Sequence, residues 1–320
     1  MFSMTIAAAL LAAASPIAQG DISAPGPNGP LKGTLTSADG RGAPVILIIP
    51  GSGPTDRDGN SPLGVKASTY RLLAEELAGR GVSTVRVDKR GMFASAAAVP
   101  DANAVTIEDY ARDTHAWVDA IRRRTGAQCV WLLGHSEGGL VALAAAQQPE
   151  DICGLILVAT AGRPLGDVLK DQLRANPANA PLLEQATAAI DALAAGRRVD
   201  AASLPPPLAP LFQPAVQGFL ISAFALDPAK LAARVNKPVL IVQGERDLQV
   251  GEADARALKT AAPSATLALL PGVNHVLKRV ATGDARANVA TYADPNSPLA
   301  PGVADIVAKF VTEARRWVGA

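Results

Sequence analysis

Apolar and polar positions along this chain switch between two periods. Six short stretches read as strands, most of them apolar runs: Pro44 to Pro50 (PVILIIP, continuous and rich in branched residues), Val82 to Val87, Cys129 to Gly134, Leu155 to Ala159, Pro238 to Gln243 and Ala265 to Leu270. Runs of this length predict strands buried on both faces. Leu31 to Ser37 reads as an earlier strand. Segments of helical period lie between them. In Thr106 to Arg124, Ile107, Tyr110, Ala111, Thr114, Trp117, Val118 and Ile121 all fall on one face, and Thr106 with Asp109 forms an N-terminal capping pair. Helices are also predicted over Ser68 to Gly79, Ser136 to Gln147, Glu252 to Thr260 and Val303 to Val318.

Strands that alternate with amphipathic helices imply parallel units with right-handed crossovers, and so helices on both faces of one sheet. The alternation stops from Gly162 to about Val235. That stretch is rich in Ala, Leu and Pro, and Leu183, Ala186, Ile190 and Leu193 keep helical spacing. It is expected to be a helical cap, residues 162–235, inserted over the C-terminal edge of the sheet, where such folds bind ligands. The α/β domain then comprises residues 21–161 and 236–320.

With 320 residues, 49% hydrophobic and 18% charged, the chain has the composition of a globular protein. Thirty basic against twenty-nine acidic residues, without a basic stripe, make nucleic acid an unexpected partner. The first twenty residues carry no charge. Ile6 to Ala14 has the length of a signal-peptide core, and Ala18-Gln19-Gly20 offers small residues for cleavage, although no Lys or Arg precedes the run. Residues 1–20 are therefore expected to be an export signal, and the protein periplasmic or secreted. No later stretch is apolar enough for a membrane helix, so no membrane insertion is expected. Cys129 and Cys153 each start one of two neighbouring strands; they either pair in an oxidising compartment or stay as buried thiols.

Gly134-His135-Ser136-Glu137-Gly138 is a G-x-S-x-G pattern between an apolar strand and a helix. Such a turn strains the serine backbone, lifts the hydroxyl above the sheet and aims a helix N-terminus at a developing oxyanion. A serine hydroxyl needs a base. Of the three histidines, His115 lies within a helix, and the side chain of His135 is expected to point away from Ser136. His275, in the loop after the last strand, remains. The base needs a carboxylate to fix its tautomer. Asp247, just past the strand PVLIVQ, fits better than Glu245, which is still close to the strand end. No metal-ligand spacing appears, and no cofactor is expected.

With these residues in place, the chain resembles the α/β-hydrolases, most of all the bacterial esterases and serine aminopeptidase-like hydrolases. The stretches that carry the resemblance are PGSGPTDRDGN from Pro50 to Asn60, VRVDKRG from Val85 to Gly91, GHSEGG, GERD, and GVNHVLK from Gly272 to Lys278. The resemblance implies an oxyanion hole formed by the N–H groups of Ser52 and Glu137, with Gly53 as the alternative to Ser52. Asp56, Arg57 and Asp58 are either substrate readers or an ion-pair network behind that loop, and Arg90 is expected to anchor a loop. From the glycine of DKRG the chain runs Gly91-Met92-Phe93-Ala94-Ser95, where similar proteins often have Gly-x-Gly-x-Ser. The expected function is serine hydrolysis through an acyl-enzyme on Ser136, with carboxylic esters as the first substrate class and a small-molecule ester or acyl compound as the partner. A serine aminopeptidase or amidase is the alternative, and a non-catalytic binding protein of the same fold a further one.

Overall fold

A computed structural model describes residues 17–40 and 42–318, with side chains to residue 314. The apolar run Ile6 to Ala14 lies outside the described residues. Ala18-Gln19-Gly20, the expected cleavage site, begins the first strand, β1 (Ala18–Ala24), and pairs with Ser37, Thr36 and Leu35 of β2 (Leu31–Ser37).

The other strands are β3 (Val45–Ile49), β4 (Ser83–Val87), β5 (Val130–His135), β6 (Ile152–Val158), β7 (Val239–Gly244) and β8 (Thr266–Leu270). They form one sheet in the order β1-β2-β4-β3-β5-β6-β7-β8. β1 and β2 pair antiparallel, as do β2 and β4; all later pairings are parallel. Strands β3 to β7 are buried at every position, as continuous apolar runs require when both faces are covered.

Alternate residues of these strands feed two cores. Ile46, Ile48, Trp131, Leu133, Ile156 and Val158 face α1 (Thr69–Ala78) and α10 (Val303–Val318). Leu47, Ile49, Leu132, Leu155 and Leu157 face the layer of α2 (Ile107–Thr125), α3 (Glu137–Ala145) and, further along the chain, α8 (Glu252–Ala261). In α2 the Thr106 side chain accepts from the Asp109 N–H and Asp109 from that of Thr106, the reciprocal cap expected there.

The segment after β6 folds as α4 (Leu165–Ala175), α5 (Leu183–Ala194), α6 (Pro214–Phe224) and α7 (Pro228–Ala232), joined by 3-10 turns. The first three pack on one another, whereas α7 sits against α3 and α8. Gly162 N–H and Arg163 both bind the buried carboxylate of Asp254, which ties the start of this segment to α8. Between β8 and α10 lies a second irregular stretch with one short helix, α9 (Ala285–Ala290). Cys129, just before β5, and Cys153 in β6 are joined as a disulfide, which resolves the two readings of these cysteines.

The chain leaves β3 toward β4 on one side and returns to β5 on the other. The C-terminal ends of β3 and β5 therefore flank the switch point, where loops diverge and leave a crevice.

Candidate active site

Ser136 stands at the end of β5 with φ 56° and ψ −120°, a left-handed conformation that a side chain rarely adopts. The turn is held by close packing. A Cβ at Gly134 would collide with the backbone of Gly138 and Gly139, and one at Gly138 with the Ile49 carbonyl. The glycines two before and two after Ser136 are thus required by backbone approach. Ser136 is partly exposed and opens α3, whose first N–H belongs to Glu137.

The structure brings His275 and Asp247 together. The Nδ1 of His275 donates to Asp247 Oδ2 at 2.8 Å, which leaves Nε2 as the basic nitrogen. The other oxygen, Oδ1, accepts from the N–H groups of Gln249 (2.8 Å) and Val250 (3.0 Å). Burial pushes the Asp247 carboxyl up, but the His275 ring and these three hydrogen bonds hold it below the usual aspartate range. Glu245, the competitor, is exposed.

Ser136 and His275 line one cavity of about 120 Å³, together with Gly51, Ser52, Thr55, Gly59, Val65, Thr69, Tyr70, His135, Gln249, Val276 and Tyr292. Among the described residues that line it, none comes from 162–235. Tyr292 comes from the stretch after α9, and its hydroxyl accepts from Gln249 Nε2 at 3.1 Å.

The position of His135 corrects the sequence reading. Alternation along a strand would turn its ring away from Ser136, but the backbone leaves the extended conformation at Ser136, so the alternation does not carry over. The ring lies 4.8 Å from that of His275, centre to centre. Its Nε2 donates to the His275 carbonyl at 2.8 Å; a carbonyl only accepts, so the proton is on Nε2. Nδ1 therefore accepts from the Tyr70 hydroxyl (2.9 Å), which itself accepts from Gly51 N–H (3.0 Å). Burial, then the neighbouring His275, lowers the His135 pKa to about 3, so the ring stays neutral. The sequence analysis set His135 aside as a base, and Tyr70 lay unremarked within the helix expected over Ser68 to Gly79.

A second network joins the two loops that carry Asp247 and His275. Asn274 Nδ2 donates to Asn288 Oδ1 (3.0 Å) and to Thr291 Oγ1 (2.8 Å), and Asn288 Nδ2 donates to the Arg246 carbonyl (2.7 Å). Both asparagines are buried.

The loop after β3 carries the positions singled out for the oxyanion hole. Ser52 is exposed and lines the cavity; Gly53, with φ 68°, makes the turn beyond it. Arg57 pairs with Asp88 through Nη2 at 2.6 Å, Asp58 pairs with Arg86, and Asp56 Oδ1 accepts from the N–H groups of Asp58 and Asn60. These side chains brace the loop. Arg90 is buried between Asp109 and Asp113 of α2, with both Asp113 contacts at 2.6 Å. Lys89 donates to the Gly51 carbonyl at 2.7 Å and lies 3.8 Å from Glu137 Oε1. Burial lowers the pKa of Lys89 and raises that of Glu137, each opposed by the other's charge. Among the described residues no group of three or more His, Cys, Asp or Glu is placed to hold a metal ion, and no helix is long and apolar enough to cross a membrane.

The family described as serine aminopeptidase, S33, matches residues 63–279, more than half of the chain. Esterase EstD of Thermotoga maritima is 28% identical over 226 residues, which are 70% of this chain and 52% of that protein. The chain thus spans about half the length of the curated relative it matches. Proline iminopeptidase of Mycobacterium smegmatis has a similar structure, with a TM-score of 0.60 at 15% identity over 93% of this chain and 100% of that one. Est1E of Butyrivibrio proteoclasticus gives a TM-score of 0.57 at 19% identity over 93% and 99%. At such identities the structures show a shared fold. Taken with the strand order and the family match, they establish that the chain belongs to the serine aminopeptidase S33 family of α/β-hydrolases.

Proposed function

We propose that the protein is a serine hydrolase that cleaves small carboxylic esters through an acyl-enzyme on Ser136. The observation that carries this reading is the pairing of His275 with Asp247 beside a strained Ser136 in one cavity. His275 Nε2 takes the Ser136 proton as Oγ attacks the ester carbonyl, and Asp247 stabilises the imidazolium. The N–H groups of Ser52 and Glu137 receive the oxyanion, and loss of one such donor costs about 3 kcal/mol of transition-state stabilisation. His275 then protonates the leaving alcohol and activates the water that releases the acid.

Two features favour a small ester. A space of about 120 Å³ holds roughly four waters at their liquid volume, enough for a short acyl group. Among the described residues lining it there is no carboxylate to hold a free amino terminus. The family description and the fold shared with proline iminopeptidase favour an aminopeptidase as the second reading. An export signal in residues 1–20 and a periplasmic or secreted location remain our proposal, supported by the Cys129–Cys153 disulfide.

Hydrolysis of p-nitrophenyl esters of increasing acyl length, by wild type and Ser136→Ala in parallel, tests the reading. Activity on the shortest esters that disappears in the variant is expected. Silence on every ester with turnover of aminoacyl amides would move the assignment to the second reading. No labelling of Ser136 by a fluorophosphonate would leave only a non-catalytic binding protein.

A further inference from the structure

Lys89 has its ammonium group buried beside the site, yet it takes no part in the proton transfers above. Its Nζ donates to the carbonyl oxygen of Gly51 at 2.7 Å, a charge-assisted contact. That carbonyl belongs to the same peptide unit as the Ser52 N–H. A trans peptide is planar, with C=O and N–H pointing in opposite directions, so a group that fixes the oxygen also fixes the hydrogen. A cation on the oxygen further draws electron density from the nitrogen and makes the N–H a stronger donor. The preceding peptide is held as well, because Gly51 N–H donates to Tyr70. The unit lies against the nucleophile: a Cβ on Gly51 would stand 3.4 Å from that of Ser136. Glu137, whose own N–H begins α3, places its carboxylate 3.8 Å from Lys89 and balances the buried charge.

We propose that Lys89 is the positioning residue of the oxyanion hole, aligning and polarising the Gly51–Ser52 peptide whose N–H receives the developing charge. The inference rests on the reading of Ser52 N–H as an oxyanion donor. Lys89 touches no substrate. Its removal should therefore weaken a donor without deleting it, a smaller loss than the roughly hundredfold or more seen when a donor is removed outright.

The test compares wild type with Lys89→Met, which keeps the stem and removes the donor. Lys89→Met combined with Glu137→Gln avoids a buried unpaired carboxylate, in case the single variant does not fold. Two readouts are taken: kcat and KM on p-nitrophenyl acetate, and the second-order rate of Ser136 labelling by a fluorophosphonate, whose P=O oxygen occupies the oxyanion hole whatever the natural substrate. We expect kcat and labelling to fall together by about tenfold, with KM within about twofold. A folded variant that labels as fast as wild type overturns the role of Lys89 and leaves the serine hydrolase reading intact. A change in KM alone overturns it too, because binding rather than the oxyanion is then affected. A wild type that labels but turns over no ester removes only the ester assignment, and the labelling rates then decide the inference alone. Failure of wild type to label Ser136 takes down the hydrolase reading and this inference together.

Discussion

Two stretches depart from the strand–helix alternation, and they differ in how they are held. The long one, from Gly162 to Val235, is a set of helices that bury apolar residues, Ile190, Leu193 and Phe212 among them. The short one, between β8 and α10, is mostly loop and is tied down by buried polar side chains: Asn274 to Asn288, Asn288 to the Arg246 carbonyl, and Lys278 Nζ to the Ser297 carbonyl. The described cavity at Ser136 takes His275, Val276 and Tyr292 from the short stretch and nothing from the long one. A large, readable apolar insertion is thus the less informative guide to the site. Apolar helices can pack wherever there is surface, whereas a directional hydrogen bond fixes a loop to one place.

The sharpest way to break this comparison is to weaken each stretch at its own anchor. Phe212→Ala should cost about 3–5 kcal/mol of stability, because the ring is fully buried and leaves a cavity. Its kcat, measured well below the melting temperature, should stay within about twofold. Asn288→Ala removes the link between the loops of Asp247 and His275. It should cost only about 1–3 kcal/mol of stability, but roughly hundredfold in kcat if the base moves by an ångström. A folded Phe212→Ala protein with a collapsed kcat, or an Asn288→Ala protein with normal turnover, would reverse the roles assigned to the two stretches.

The same contrast explains what the sequence reveals. Ser136, Asp247 and His275 lie in the turns after β5, β7 and β8, and a parallel sheet gathers the C-terminal ends of its strands at one edge, so their placement at that edge is implied by order alone. β1 was not predicted. Its residues AQGDISA carry a single branched apolar side chain, because an edge strand with five exposed positions needs no more. Tyr292 and Asn288 leave no periodic trace, since their contacts span loops far apart in the chain. His135 was visible but misplaced, because the positive φ of Ser136 redirects the chain in a way that strand periodicity does not describe.

His135 offers a sharper test of the polar side of the comparison. Its folded pKa is depressed to about 3, against about 6.5 in an unfolded chain. Below pH 6.5 the unfolded state takes up a proton that the folded ring refuses, so stability falls as pH drops and stops falling below the folded value. Between pH 6.5 and pH 5 this costs about 2 kcal/mol, from 1.4 kcal/mol per unit. Urea unfolding at the two pH values should show that slope in wild type and lose it in His135→Gln, which keeps a donor for the His275 carbonyl. An equal slope in both proteins would mean that His135 is hydrated rather than locked between Tyr70 and His275.

The smallest effect concerns the wall itself. Tyr292 contributes its ring to the cavity and its carbonyl to the Lys66 N–H (2.7 Å), so truncating the side chain leaves the backbone anchor in place. Tyr292→Ala should enlarge the space beside Ser136 and raise kcat/KM for a longer acyl chain relative to acetate by about tenfold, the lower end of what one added methylene contributes in an apolar pocket. Absolute activity on acetate should change less than the ratio, since neither His275 nor Asp247 bonds to Tyr292. If instead the preference moves only when residues of α4 to α6 are shortened, the acyl group leaves the cavity toward the long insertion. The short stretch would then hold the base without shaping the pocket. A shift with Tyr292→Ala alone would show that one loop both seats the histidine and sizes the substrate, which ties specificity to the polar anchors rather than to the apolar helices of the long stretch.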